Sequence, residues 1–248
     1  MARNIALLRP MRIVTASGAG VTNPSRVLTP DPKEAAFWTG GAGSITLDLG
    51  AVTSIDTVFA GYTGPVAMDV ATSTDGNSFA ALPGATLRAD DIPPDLFAPI
   101  YHAVAIASAP VSARYVRIGG NFPANTPLGV VAVGRAFVST WGHEWGAGRP
   151  IEDTGTAERL IGGGFGIEEG VRVGGYQWTF GDLTDDEVRA LYAIGRDRGS
   201  TRSVLVVEDP DRTAGIHERI HWGLARFDTY ERLAANATRY GLAIRDWA

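Results

Sequence analysis

The residues whose types and spacing most directly suggest chemistry are His217, Glu218 and His221, in the run IHERIHWG. On a helix, positions i and i+4 share a face, so two imidazoles spaced this way hold one zinc ion, with the glutamate beside its bound water, as in a zinc metallopeptidase. Here DPDRTAG precedes the run as a turn and Gly223 follows it. Ile220, Trp222 and Leu224 alternate with Arg219, His221 and Gly223, which is strand period. The spacing therefore predicts one strand through IHERIHWGLARF, on which the two histidines stand roughly 13 Å apart and cannot share a metal. The completing ligand is missing as well: Leu224 and Phe227 hold the positions of the extended motif, and Glu231 follows too closely. No metal site is expected, and the peptidase stands only as a remote alternative.

Other candidates are weaker. His143 and Glu144 lie between Trp141 and Trp145 in a glycine-rich loop, where tryptophan faces could stack on sugar rings beside a carboxylate. The preference of large aromatics for burial favours a structural role, with both tryptophans packed inward. The acid pairs Asp90 with Asp91, Glu168 with Glu169 and Asp185 with Asp186 read as a solvated loop, a turn between strands and a helix N-terminus, not as glycosidase pairs. GGGFG at Gly162 to Gly166 lacks the strand before and the helix after that phosphate binding requires. No catalytic residue and no cofactor is assigned, and the chain is not expected to be an enzyme.

The elements that must position any site are short strands. The chain has 248 residues, 31 of them glycine, and β-branched residues fall in short runs between turns. A formal charge of −5 without a basic run argues against nucleic acid and anionic membrane as partners; Lys33 is the one lysine. The absence of cysteine excludes disulfides and thiolate sites. MARNIALLRPMRIV lacks the pattern of a signal peptide, so synthesis in the cytoplasm is expected.

From Asn23 to Gly120, strands are expected at Ser44 to Gly50, Ser54 to Tyr62, Ala67 to Phe79, His102 to Ala107 and Ala113 to Gly120, as in a sandwich. Val130 to Trp141 reads as a further strand. LTDDEVRALYAIGRDRG is the one convincing helix: Thr184 caps it, Glu187 completes a capping box, and Val188, Leu191 and Tyr192, with Ile194 near, form the packing face. Gly195 or Gly199 ends it. The fold class is mostly β, with two β-sandwich-type domains, the second carrying one packed α-helix. The expected layout is residues 1–22 as an N-terminal strand region that joins either domain, 23–122 as the first sandwich, 123–148 as connecting strand and glycine-rich loop, and 149–248 as the second domain.

NPSRVLTPDPKEAAFWTG, ITLDLG, VATSTDGNSF and ARYVRI, in that order and spacing, resemble the discoidin, or coagulation factor 5/8 type C, modules. That resemblance implies a non-catalytic sandwich that binds glycans or other surface ligands through loops at one end. Carried onto this sequence, the ligand-binding residues would be Asp31, Lys33, Phe37, Trp38, Asp90 and Asp91. YQWTFGDLTDDEVRALYAI, VLVVEDP, RIHWGLARF and RYGLAIRDW are similar in layout to the C-terminal part of distal-tail and minor-tail proteins of long-tailed bacteriophages. This implies a place in the virion tail, a homo-oligomeric ring, and tail tube, hub and fibre proteins as partners, with a host cell-surface glycan as a further one. The alternative is a stand-alone glycan-binding accessory module.

Overall fold

The computed structural model describes residues 5–90, 100–212, 214–234 and 237–247. In chain order the strands of the first half are β1 (Ile5–Leu8), β2 (Thr15–Ala19), β3 (Val21–Thr22), β4 (Ala36–Trp38), β5 (Gly41–Thr63), β6 (Ala67–Ser73), β7 (Ala80–Arg88), β8 (Tyr101–Phe122), β9 (Pro127–Gly134) and β10 (Ala136–Val138). There follow β11 (Ile151–Asp153), β12 (Thr156–Arg159), β13 (Phe165–Glu168), β14 (Arg172–Leu183), α1 (Asp185–Arg198), β15 (Ser203–Glu208), β16 (Ile220–Phe227), β17 (Glu231–Ala234) and β18 (Ala237–Asp246). The protein is mostly β, with several sheets and one α-helix among the described residues. It divides into two compact units, residues 1–138 with 203–220, and residues 139–202 with 221–248.

In the first unit the strands run β3-β4-β9-β5-β8-β6-β7, with β2 also on β5. Four of the expected strands merge into the long antiparallel pair β5 and β8, whose buried stretches are joined through exposed runs at 50–52 and 108–110. Their register breaks between Asp48 and Thr53, where Gly50 has a φ of 82° and its N–H donates to the Asp48 carboxylate at 2.7 Å. Before this break β5 pairs with β2, and after it with β9; β6 pairs with the second half of β8. The pair thus belongs to two layers of strands with the core between them: Ile45, Leu47, Val58, Val116, Ile118 and Leu128 are all buried in one apolar cluster. On the outer face Arg114 grips Asp48 with two parallel hydrogen bonds of 2.9 and 3.0 Å, and this holds the Asp48 carboxyl below its usual range.

The segment expected as one strand from Ala67 to Phe79 turns at Ser73. Asp75 accepts the backbone N–H groups of Asn77 and Ser78, and the chain returns as β7, which the sequence reading missed. The expected strand Val130 to Trp141 is divided at Arg135 into β9 and β10. Of Met1 to Val14, only Ile5–Leu8 is strand among the described residues. It lies between β10 and β15, with all four side chains buried.

The second unit holds β16-β18-β14-β11, with β17 also on β18, and β12 with β13 as a separate hairpin. The helix begins where the sequence indicates: the Thr184 hydroxyl accepts the Glu187 N–H, the Glu187 carboxylate accepts the Thr184 N–H, and Gly199, not Gly195, ends it with a φ of 55°. The Glu187 carboxylate also accepts the Thr140 N–H at 2.6 Å. Burial pushes its acidity down, but these donors outweigh burial and hold its carboxyl below the usual range. The packed stripe is Leu191 and Ile194; Tyr192, expected on it, is about half exposed. Gly195, inside the helix, lies against the Phe227 ring.

Candidate functional site

The strand expected through IHERIHWGLARF starts only at Ile220. Ile216–Arg219 is a 3-10 turn entered through Gly215, so His217 and Glu218 precede the strand and His221 lies on it. The turn is fixed by Arg219, which is buried and donates to the carbonyls of Glu208, Ala214 and Arg212. The His221 Nδ1 lies 3.0 Å from the Asp246 carboxylate, and its ring stacks on Tyr176. The two imidazoles therefore sit on different elements, and no group of three or more metal-ligating side chains occurs among the described residues. In the glycine-rich loop, Glu144 accepts from Arg239 at 2.8 Å and its N–H donates to the Thr179 carbonyl, while His143 meets the Tyr176 hydroxyl at 3.4 Å. These polar residues anchor the loop, and Trp141 and Trp145, expected to be packed inward, are exposed instead.

The resemblance points to one end of the first sandwich, and strand register shows which residues meet there. Gly41 pairs with Phe122, Thr63 with Tyr101 and with Leu128, and Ala36 with Leu128. The segments 29–35, 62–66 and 123–127 therefore gather at the same end. Gly129 on β9 locates two of them closely. A Cβ there would stand 2.8 Å from the Tyr62 Cβ and 2.9 Å from the Pro32 carbonyl, so Tyr62 and the 29–35 loop lie side by side over that glycine.

Local hydrogen bonds shape the loop. Val27 is buried, Thr29 closes the preceding 3-10 turn on the Arg26 carbonyl, and the Asp31 carboxylate accepts the Lys33 N–H at 2.9 Å. Asp31 thus spends one oxygen on its own turn, which leaves Lys33 and Glu34 exposed at the tip. Phe37 is 39% exposed on β4. Trp38, next to it, is 1% exposed and stacked on Phe122 with ring centroids 3.9 Å apart. It is a core residue and presents no ring face to a ligand. Strand alternation alone explains the difference: adjacent residues point to opposite faces. Asp90 is held by Arg88 through two 3.1 Å contacts, and Asp91 lies outside the described residues.

Two residues that the sequence reading did not single out belong to this end. Tyr62 has a φ of 54°, an unusual conformation for a tyrosine, and its N–H donates to the Nδ1 of buried His102 at 3.3 Å. The acceptor role of Nδ1 places the proton of a neutral His102 on Nε2. The Tyr62 ring also meets His102 edge-on at 4.7 Å. The only sequence signal was GYTGP, a turn-rich stretch at a strand end. With Phe37 and Tyr62 as partly exposed rings and Lys33, Glu34 and Asn125 as exposed polar groups, this end has the chemistry to stack against a sugar and hydrogen-bond its hydroxyls.

No family model matches the chain, and no curated protein does. Among solved structures, the CBM32 of AlyQ in complex with 4,5-unsaturated mannuronic acid is similar at 17% identity and a TM-score of 0.40, covering 51% of this chain and 98% of that one. A pectin binding carbohydrate binding module is similar at 17% identity and a TM-score of 0.39, over 50% of this chain and 91% of that one. The lectin domain of lectinolysin complexed with Lewis B antigen is similar at 17% identity and a TM-score of 0.37, over 49% and 92%. Each of these likenesses covers about half of this chain.

Proposed function

We propose that this chain is a non-catalytic structural protein of the tail tip or baseplate of a long-tailed bacteriophage, of the distal-tail or minor-tail kind. Its first sandwich presents a glycan-binding loop end that aids attachment to the host surface, and its second unit docks the chain into a homo-oligomeric ring among other tail proteins. The observation that carries this reading is the β12–β13 hairpin. Both strands are wholly exposed, and Leu160, Ile161, Phe165 and Ile167 stand in solvent on it. A two-stranded hairpin is marginal by itself, and a contiguous exposed apolar surface marks a contact site. The layout similarity of Tyr176 to Trp247 to tail proteins supports this choice of assembly.

The test is the mass of the purified protein by light scattering over a range of concentrations. A defined multimer supports the reading. A monomer at every concentration overturns it and favours the second reading, a stand-alone glycan-binding module, which draws on the loop end around Phe37, Lys33 and Tyr62.

A further inference from the structure

The second unit carries, besides the exposed hairpin, an open cavity of about 350 Å³ lined by Tyr192, Arg196, Phe227, Asp228, Tyr230 and Tyr240. Its walls are aromatic and set at steep angles: Tyr192 meets Tyr230 at 85°, Tyr230 meets Tyr240 at 63°, and Phe227 meets Tyr240 at 61°. Tyr192 and Tyr230 are about half exposed around it. Asp228 is paired with Arg226 at 3.2 Å, whereas Arg196 is exposed and forms no ion pair among the described residues. The cavity is thus apolar and aromatic, with Arg196 as its one charged residue without an ion pair among the described residues.

The hairpin is also apolar at its tip but opposite in charge. Its apolar residues Leu160, Ile161 and Phe165 cluster at the tip around Gly162 to Gly164, and its flanks carry Glu158, Glu168 and Glu169 against the one cation Arg159. Glu168 accepts a hydrogen bond from Thr156 at 3.4 Å, and none of the three glutamates forms an ion pair among the described residues. Tip and cavity match in polarity, and their charges are complementary.

They do not meet within one chain: no hairpin residue lines the cavity. The hairpin is rooted beside Arg172 at the start of β14, where Asp153 pairs with Arg172 and Gly155 crowds Gly170. The cavity residue Tyr240 pairs with Phe180 on the same strand. Eight residues of strand separate the two points by roughly 26 Å, whereas the six residues from Gly155 to Ile161 reach only about 20 Å. A second copy has no such restriction.

We infer that the hairpin tip, Leu160, Ile161 and Phe165, inserts into the aromatic cavity of a second copy of this chain, with Arg196 facing the hairpin's glutamates. Donor and acceptor are different surfaces of one chain, so the contact is head-to-tail and generates a ring or a filament, not a two-fold dimer. This rests on the proposal that the chain self-assembles.

The absence of native cysteine makes the contact directly testable. Ile161→Cys and Tyr230→Cys, made in separate chains and mixed under mild oxidation, form a disulfide-linked dimer that needs both. The double variant gives a ladder of multimers. Val52→Cys, exposed on the first sandwich, mixed with Tyr230→Cys, is the control and forms no disulfide-linked dimer. Independently, Phe165→Asp, at a solvent-exposed position and so harmless to the core, weakens self-association by about tenfold or more in light scattering. If the wild type assembles but Phe165→Asp assembles equally well and cross-linking does not exceed the control, the hairpin contact is wrong while self-assembly stands. If the wild type never assembles, the assembly proposal itself falls.

Discussion

Trp38→Ala separates a core tryptophan from a ligand platform. The ring is 1% exposed and lies on Phe122 at 3.9 Å, so its removal leaves a void between the two layers of the first sandwich. A tryptophan buries about 150–250 Å², worth roughly 4–6 kcal/mol at about 25 cal/mol per Å². Partial relaxation brings the expected loss to about 3–5 kcal/mol, as for other buried aromatic truncations. For a unit of this size that lowers Tm by roughly 6–20 °C, measured by far-UV circular dichroism, with urea midpoints as a second readout. Trp38→Phe is milder, about 1–2 kcal/mol, because a ring remains to stack on Phe122 and the buried Nε1 makes no hydrogen bond to lose. Phe37→Ala, one residue away but 39% exposed, stays within about 1 kcal/mol of wild type. An unchanged midpoint for Trp38→Ala refutes the packing argument, and loss of glycan binding in a fully stable Trp38→Ala would restore the ring as a platform.

Phe37→Ala and Lys33→Ala are each expected to weaken binding on a glycan array by about tenfold at unchanged stability; binding equal to wild type in both moves the site away from this loop. Glu187→Ala removes half of a capping box and leaves the Thr140 N–H without its acceptor, for an expected cost of about 1–3 kcal/mol in thermal unfolding. Asp48 has a folded carboxyl held below its unfolded value by Arg114, so its contribution is present above the unfolded range, about pH 4, and disappears as pH falls through the folded value. The pair is partly exposed, so Asp48→Asn costs only about 0.5–1 kcal/mol at pH 7, and the difference from wild type narrows as pH falls below about 4 in paired denaturation curves.

What was legible in the sequence followed from local patterning. The alternation in ITLDLG and ARYVRIG gave strands whose Ile45, Leu47, Val116 and Ile118 are buried, and Thr184 with Glu187 gave a helix start correct to the residue. Where a single local feature changes the chain's course, alternation gave less: Asp75 and Gly76 read as a tight-turn pair, but the β7 strand that follows and the 3-10 turn at His217 did not show. The Asp75 turn that releases β7 and the 3-10 turn that puts His217 ahead of its strand both depend on a few backbone hydrogen bonds. Phe37 and Trp38 were grouped because the resemblance puts both in one loop, although adjacency on a strand separates them. Tyr62 and His102 lie 40 residues apart and meet only through the long register of β5 and β8, which no local window contains.

The place of β1 also sets a timetable for synthesis. Its four buried residues are paired by β10 once residue 138 has been made, but the other edge waits for β15, complete only at Glu208. At about 5–20 residues per second the ribosome needs roughly 3–14 s to cover that distance. Throughout it, an apolar strand offers bare backbone to any neighbouring nascent chain. A shortened protein that ends before Ser203 makes this interval permanent. The sandwich by itself should therefore stay soluble only if Ile5 to Leu8 is removed with the segment that would have covered it.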